Sequence, residues 1–246
     1  MKRPARCAKM GADQMEVGVL MKSKAEICPG VYQVGGGRWS DLDDCCVYLV
    51  DGGQEAALID AGAGRSTARI MDNISQVGVS PRSIQYIIAT HGHIDHIGGL
   101  KELQDQLQAQ VVAHQLELPA IQEGLAHLTA ASWYRIRYQK VKVDRVLSGV
   151  QEKLNLGDLE LTCLHTPGHT VGGISVYTDI AGQRVLFGQD IHGPFNKEWG
   201  SDMQQWRKSM QALLDLEADI LCEGHFGIYQ PAGAVKKYIE GYLQRF

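Results

Sequence analysis

The chain has 246 residues, of which 44% are hydrophobic and 21% are charged. These fractions are typical of a globular protein, so collagen, coiled coil and disorder of the whole chain are excluded. The net charge of −4, from 24 Lys and Arg against 28 Asp and Glu, favours solubility and provides no general attraction for nucleic acid.

The cysteines and the lack of long apolar runs indicate the compartment. The six cysteines form no C-x-x-C pair, as is typical of reduced thiols. No apolar run approaches the ~20 residues of a membrane span. The basic start is followed by a polar segment over residues 11–16, unlike a secretory signal. We therefore expect a cytoplasmic protein without a membrane segment.

Apolar runs and turn residues predict the elements in chain order. Residues 1–24 show no clear periodicity and are predicted to be an N-terminal extension. The first half then gives strands over 27–34, 46–50 and 56–59, a helix over 66–77, a strand over 84–89, a helix over 98–108, a strand over 111–112 and mixed helix over 115–134. The second half gives strands over 141–146, 159–164, 173–177 and 184–187, a helix over 202–216, a strand over 220–221 and a helix over 232–243. Since no linker divides the halves, we expect one α/β domain over 25–246, with two packed sheets and helices outside.

The segment T-H-G-H-I-D-H-I-G-G, which begins at Thr90, concentrates side chains that bind metals. Its candidates are His91, His93, Asp95 and His96. They follow an apolar strand, and a glycine pair that opens a helix comes directly after them. In an extended chain the first two histidines point the same way, whereas Asp95 and His96 lie around the bend and can face a second ion. Imidazoles suit zinc or iron, and a carboxylate adds a harder oxygen ligand.

Three further candidates follow predicted strands and stand beside glycine. They are His169 in H-T-P-G-H-T, Asp190 in G-Q-D and His225 in E-G-H. Polar residues at strand ends gather at one edge of a sheet, which predicts a shared site. A lone histidine at a strand end is more often structural, and Asp190 alone would be an ordinary turn residue. These three residues are therefore candidate metal ligands only because the chain also contains the H-x-H-x-D-H segment.

In combination, these motifs resemble the metallo-β-lactamase superfamily, and specifically its glyoxalase-II-like hydrolases. The resemblance covers residues 26–230 and implies an αββα four-layer sandwich, with two mixed sheets and a dinuclear metal site at one edge. Carried over by motif, it implies that His91, His93 and His169 hold the first metal, that Asp95, His96 and His225 hold the second, and that Asp190 bridges both. Asp60 matches the D-x-G turn of the family, as a supporting residue. Gln189 replaces the small hydroxyl residue that usually precedes the bridging Asp, so we expect altered hydrogen bonding there.

A two-metal site predicts a mechanism. Two cations about 3.5 Å apart can share a hydroxide and lower the pKa of water toward neutrality. No catalytic Ser or Cys is then needed, and the chain has no G-x-S-x-G motif. We expect the bridging hydroxide to attack a carbonyl, with Asp190 essential and Asp95 orienting the nucleophile as well as binding metal. Zinc is the default metal, but these ligand types do not exclude iron or manganese.

Comparison within the family narrows the substrate. Glyoxalase II adds a helical glutathione-binding region, whereas only 21 residues follow His225 here. The G-R-T-D-F stretch of persulfide dioxygenases is absent, and flavo-diiron proteins carry Glu where this chain has His93. Hydrolysis of an ester, thioester or lactone of a small molecule therefore leads. Phosphodiester or RNA hydrolysis and iron-dependent oxidation are the alternatives.

The segment after the bridging Asp predicts a pocket wall. His192 is a candidate catalytic or substrate-binding residue, with a structural loop histidine as the equal alternative. Phe195, Trp199 and Tyr134 are further candidates for substrate binding. We expect Trp133 to pack in the core instead.

A basic stretch stands out in an acidic chain. Arg135, Arg137, Lys140, Lys142 and Arg145 alternate with apolar residues and are offset by one acid. A solvated strand face is the favoured interpretation. The alternative is attraction of an anionic substrate such as a carboxylate, a coenzyme A thioester or a nucleic acid, although one short stretch gives few phosphate contacts. A homodimer is expected only as the commonest oligomer.

Overall fold

The computed structural model describes residues 25–246, so the predicted extension over 1–24 lies outside the described residues. Two mixed β-sheets stack face to face, and helices cover both outer faces. The predicted α/β fold class is therefore confirmed. The five cysteines in this part of the chain are buried.

The first sheet has seven strands whose spatial order equals their chain order. They are β1 Glu26–Cys28, β2 Val31–Gln33, β3 Tyr48–Asp51, β4 Ala56–Ile59, β5 Ile84–Ile88, β6 Gln110–His114 and β7 Arg145–Leu147. The strands from β1 to β4 pair antiparallel, and those from β4 to β7 pair parallel. The parallel strands are connected through helices, as parallel pairing requires.

The second sheet has six strands in the order β13-β12-β11-β10-β9-β8. They are β8 Gln151–Leu156, β9 Leu159–His165, β10 Ile174–Ile180, β11 Gln183–Gln189, β12 Ile220–Glu223 and β13 Ile228–Tyr229. Only β11 and β12 pair parallel. Both sheets are mixed, as the resemblance implied.

Residues 25–246 also form seven α-helices. They are α1 Thr67–Gln76, α2 Ile94–Ile97, α3 Leu100–Leu107, α4 Leu118–Ile121, α5 Ala131–Tyr134, α6 Met203–Asp215 and α7 Ala232–Arg245. Helices α1 and α3 pack on the first sheet, and α6 and α7 pack on the second. No helix among residues 25–246 combines the length and apolarity that crossing a bilayer requires.

The core consists of three apolar layers, because the inner strands are buried on both faces. Along β4, Leu58 points to the helices, whereas Ala57 and Ile59 point between the sheets. This alternation follows from the two-residue period of a strand. Between the sheets, the rings of Tyr48 and Phe187 lie 5.5 Å apart.

Several predicted elements differ from the structure. The strand predicted over 27–34 is a hairpin of β1 and β2, since Pro29 lacks an N–H group and Gly30 turns the chain at φ +85°. The strand predicted over 141–146 contributes only β7. Strands β8 and β13 were not predicted, because β8 carries few apolar residues and β13 has only two residues. The region 115–134 forms short helical turns and loops instead of mixed helix.

Strand direction places the candidate residues at one edge. Asp60 follows β4 and the His91 segment follows β5, and these two strands are parallel. Asp190 follows β11 and His225 follows β12, which are also parallel. The carboxyl ends of parallel strands meet at the same edge, so each sheet delivers polar side chains to one rim.

A stacked histidine pair joins the ends of β6 and β9. The rings of His114 and His165 lie 4.0 Å apart with an angle of 12° between their planes. His114 is only 2% exposed. Burial, reinforced by His165, lowers the pKa of His114 to about 4.

This shift predicts a pH dependence of stability. The unfolded state takes up a proton at His114 near pH 6.5, whereas the folded state resists it down to about pH 4. The stabilisation is therefore complete above pH 6.5 and is lost as the pH falls toward 4. We expect His114→Asn to have a shallower loss of unfolding free energy between pH 7 and about pH 4.5 in urea titrations. The matched control is His127→Asn, at an exposed histidine. Equal pH slopes for the wild type and His114→Asn would contradict the assignment.

Candidate metal centre

Three imidazoles and one carboxylate form the first cluster at the sheet edge. The first cluster consists of His91, His93, His169 and Asp190, all buried. Nδ1 of His93 lies 3.0 Å from Nε2 of His91 and 2.9 Å from Nε2 of His169. Oδ2 of Asp190 lies 3.5 Å from Nε2 of His169 and 3.9 Å from Nε2 of His91. Four donor atoms thus face one point, as a tetrahedral metal site requires.

A second cluster lies on the other side of Asp190 and consists of Asp95, His96 and His225. Nε2 of His225 is 3.3 Å from Oδ2 of Asp95, and Nε2 of His96 is 3.7 Å from the same oxygen. Oδ1 of Asp190 lies 3.3 Å from both imidazole nitrogens. The two carboxylate oxygens of Asp190 therefore face different clusters.

Two buried polar atoms without hydrogen-bond partners indicate a metal site rather than a hydrogen-bonded core. Nε2 of His96 and Oδ1 of Asp190 are buried, and neither has a hydrogen-bond partner within residues 25–246. A buried polar atom without a partner normally costs about 1–3 kcal/mol. Two such atoms at the centre of facing ligands suit a divalent cation.

The other nitrogen of several rings is anchored, which fixes the tautomer. Nδ1 of His96 donates to Oδ2 of Asp60 at 2.7 Å, and Nδ1 of His169 donates to the Pro194 carbonyl at 2.7 Å. Nδ1 of His91 donates to the Thr90 hydroxyl at 3.2 Å. In each ring Nε2 is left as a lone-pair donor that faces its cluster, the arrangement found around metal-binding histidines.

Asp60 accepts hydrogen bonds from several parts of this supporting layer. It is fully buried, adopts φ +65°, and accepts hydrogen bonds from the Thr90 backbone and hydroxyl. Nε2 of Gln189 also donates to it at 2.6 Å. The unusual Gln189 therefore connects Asp60 to the strand that ends at Asp190.

The electrostatics favour a cation. Burial lowers the pKa of His91 and His93 well below the usual value, so both rings stay neutral and can donate a lone pair. Burial opposes the charge on Asp190, but His225 and His96 outweigh it and hold the pKa of this carboxyl well below its usual range. At His225, burial lowers the pKa, but Asp190 and Asp95 more than compensate and raise it to about 10. The carboxylates thus create a negative field that draws positive charge.

Glu117 holds the two histidine loops together and was not predicted. One oxygen accepts the Gly92 N–H at 2.8 Å, and the other accepts the Thr170 hydroxyl at 2.6 Å and the Gly172 N–H at 2.8 Å. Its first loop carries His91 and His93, and its second follows His169. Burial raises the pKa of Glu117, and these hydrogen bonds partly oppose the shift. A Cβ at Gly172 would lie 2.8 Å from Cγ of Glu117, so the loop needs glycine there.

The predicted pocket wall is only partly at the site. The Tyr134 hydroxyl donates to Oδ2 of Asp95 at 3.0 Å, and the ring of His192 lies 5.4 Å from that of His225. The ring of Phe195 packs on those of Phe246 and Trp206, at 5.2 and 5.4 Å, and lies 6.4 Å from that of His169. Trp199 is only 3% exposed, and its ring packs on that of His93, a candidate ligand, at 4.4 Å.

The core position expected for Trp133 is wrong. Its side chain is 63% exposed and its ring lies 4.9 Å from that of Trp199. The short helix α5 turns it outward at the rim, because Ala130 and Arg135 adopt left-handed φ values on either side. Periodicity does not predict such a single-turn helix.

Comparison with known proteins identifies the family of this chain. A family model described as the metallo-β-lactamase superfamily matches residues 41–225. The chain belongs to the metallo-β-lactamase superfamily. The glyoxalase-II-like branch within it stays a prediction.

Curated relatives and solved structures agree with this membership. The chain is 29% identical over 219 residues to the acyl-coenzyme A thioesterase MBLAC2 of Gallus gallus, covering 78% of this chain and 75% of the relative. It is 26% identical over 196 residues to the probable metallo-hydrolase YflN of Bacillus subtilis, covering 68% and 74%. A HARLDQ-motif mutant of a metallo-β-lactamase from Cronobacter sakazakii superposes with a TM-score of 0.76 at 23% identity, covering 90% of this chain and 94% of that one. The last likeness shows the fold alone.

Superfamily members bind divalent metals, and this member is a metal-dependent hydrolase. Its two clusters are made of the residue types that such metals prefer. Sequence motifs pointed to all seven cluster residues, but not to Glu117 or Glu223. Glu117 is an isolated acid and Glu223 stands in the E-G-H segment without a predicted role, so only their contacts distinguish them.

The hydrogen bonds of Glu117 predict a role in metal affinity. We expect Glu117→Ala to free both loops and to weaken metal binding about 10–100-fold, as loss of a supporting residue typically does. Titration of the metal-free protein with zinc, followed by calorimetry, measures the change. Glu123→Ala, at an exposed glutamate of the same region, is the matched control. Unchanged zinc affinity in a folded Glu117→Ala protein would contradict the role.

Proposed function

We propose that this protein is a two-metal hydrolase that cleaves an acyl thioester or a related ester or lactone. The observation that carries the proposal is the position of Asp190, whose two oxygens face two separate clusters of candidate ligands. One ion would be held by the first cluster and the other by the second cluster, with Asp190 shared. We take both ions to be zinc, since buried imidazole and carboxylate groups are typical zinc ligands.

The residues around the two clusters would then have different roles in the reaction. When bound, two such ions supply an activated water as nucleophile and a Lewis acid for the carbonyl oxygen. Tyr134 holds the Asp95 carboxylate in place through its hydroxyl. Burial raises the pKa of Tyr134, with Asp95 as the next cause, so the hydroxyl keeps its proton and remains a donor.

His192 is the candidate residue for binding the substrate or protonating the leaving group. Its Nδ1 donates to Oε1 of Glu223 at 2.6 Å. The other oxygen of Glu223 accepts the N–H groups of His225 and Phe226 at 2.7 and 2.8 Å. Glu223 is fully buried, so it ties the orientation of His192 to the backbone of a candidate ligand. The remaining nitrogen of His192 would bind a substrate atom or give a proton to the leaving group.

The choice of thioester rests on similarity. MBLAC2, whose name describes it as an acyl-coenzyme A thioesterase, matches over 78% of this chain. A thiolate is a good leaving group, so a thioester suits a site that activates water. Esters and lactones share the carbonyl chemistry and are the next candidates.

Metal content and turnover should fail together in a bridging variant. We expect the wild type to hold about two metal ions per chain and Asp190→Asn to hold fewer. The rate of thioester hydrolysis should fall at least about 10³-fold in this variant. The amide loses the negative charge that both clusters share. Elemental analysis gives the metals, and release of free thiol gives the rate, with a lactone and an RNA substrate in parallel. Asp158→Asn, at an exposed aspartate, is the control. Full activity in chelator-treated Asp190→Asn would end the proposal.

Removal of the His192 ring should slow the reaction without changing metal binding. We expect His192→Asn to lower kcat by about 10²-fold, the usual effect of removing a proton-transfer group, while metal content stays unchanged. The same thiol-release assay and elemental analysis measure both. An unchanged kcat would restrict His192 to a structural hydrogen bond with Glu223.

A further inference from the structure

A cationic cavity lies next to the candidate metal centre. Its volume is about 320 Å³, within the size range of small-molecule pockets. Four cationic side chains line it: Arg65, Lys101, Arg135 and Arg137. Glu102 is the one acidic residue of this lining. The excess of positive charge is local, since the chain as a whole carries −4.

Tyr134 connects this cavity to the second cluster. Its hydroxyl donates to Asp95 at 3.0 Å, and its backbone carbonyl accepts from the guanidinium of Arg65 at 2.8 Å. Arg135 is the next residue in the chain. One tyrosine side chain therefore separates a candidate metal ligand from the cationic lining, a span that an extended substrate can bridge.

The cations of the cavity differ in how much charge remains available. Arg65 pairs with Asp43 and Lys101 pairs with Asp105. Arg135 and Arg137 are exposed, and neither guanidinium has an ion-pair or hydrogen-bond partner in the described part of the chain. Ile136 and Tyr138, the residues that follow each of these arginines, are half-buried. Two unpaired guanidinium groups beside a cavity offer planar, forked donors that match phosphate geometry.

The rest of the basic stretch behaves differently. Lys142 lies 3.9 Å from the carboxylate of Asp144, and Arg145 donates to the Lys153 carbonyl at 2.8 Å. Neither Lys140 nor Lys142 lines the cavity. The expected solvated face therefore describes the second part of the stretch, whereas the first part joins Arg65 and Lys101 around one cavity.

We propose that this cavity, lined by Arg65, Lys101, Arg135 and Arg137, binds the phosphate groups of a substrate whose reacting carbonyl lies at the metal centre. The substrate class is thus a phosphate-bearing acyl thioester or ester, with its phosphates on the side of Tyr134. The assignment rests on the proposed function only in placing the reacting group at the metals.

Removal of the two unpaired cations tests the assignment. We compare acetyl-coenzyme A with the acetyl thioester of N-acetylcysteamine, which carries no phosphate. For Arg135→Gln/Arg137→Gln we expect kcat/KM for acetyl-coenzyme A to fall about tenfold or more through KM, since each lost bond joined charged groups. The phosphate-free thioester should react as with the wild type. The control Lys140→Gln/Lys142→Gln removes the same charge from the same stretch and should keep both rates. Equal losses for both thioesters, or for both variants, would overturn the proposal.

A binding measurement separates this proposal from the proposed function. We expect ADP, titrated calorimetrically into the metal-loaded protein, to bind about tenfold more weakly to Arg135→Gln/Arg137→Gln than to the wild type or the lysine control. If neither thioester is cleaved but ADP shows this pattern, the proposed function fails and the cavity assignment stands. If ADP binds the arginine variant as tightly as the wild type, the cavity assignment fails, whatever the thioesterase result.

Discussion

The burial of one carboxylate between two groups of imidazoles is the interaction on which the rest of this structure depends. Asp190 lies at the end of β11 with its oxygens directed to opposite sides, and both clusters converge on it. Removing such a charge from water is expensive unless opposite charge and hydrogen bonds replace the solvent. Here His96 and His225 supply that compensation, because Nε2 of each ring lies 3.3 Å from Oδ1 of Asp190. The result is a mostly buried site whose negative charge suits cations.

This arrangement needs rigid support, because the cluster residues come from loops and from the single-turn helix α2. Asp60 joins the ends of β4 and β5 and, through Gln189, reaches β11 in the other sheet. Glu117 does the same for the His91 loop and the loop after His169. Each acid is buried and accepts several hydrogen bonds, so its charge is spread over donors that would otherwise be unsatisfied. Two buried acids thereby hold in register loops that belong to different sheets.

The surroundings of the centre are asymmetric, which bears on how a substrate approaches. Beside His225 lie His192, whose Nδ1 donates to Glu223, and the exposed ring of Phe226. On the side of Asp95, Tyr134 leads to the cationic cavity. Trp133 forms an exposed aromatic rim over Trp199. A substrate whose reacting carbonyl lies at the centre would thus meet polar side chains on one side and positive charge on another. This arrangement suits a substrate with two chemically different ends.

The sequence by itself determined the ligand types and most of the elements that carry them. The H-x-H-x-D-H spacing is local, and apolar strands followed by glycine predict where each candidate emerges, so convergence at one edge followed from strand direction. Tertiary structure alone decided the roles of Glu117, Glu223 and Gln189, since their partners Gly92, His192 and Asp60 lie 25, 31 and 129 positions away in the chain. It also decided that Trp133 faces outward and that two arginines of the basic stretch border a cavity. Periodicity reports which face of an element is apolar, whereas these contacts depend on how separate loops pack against each other.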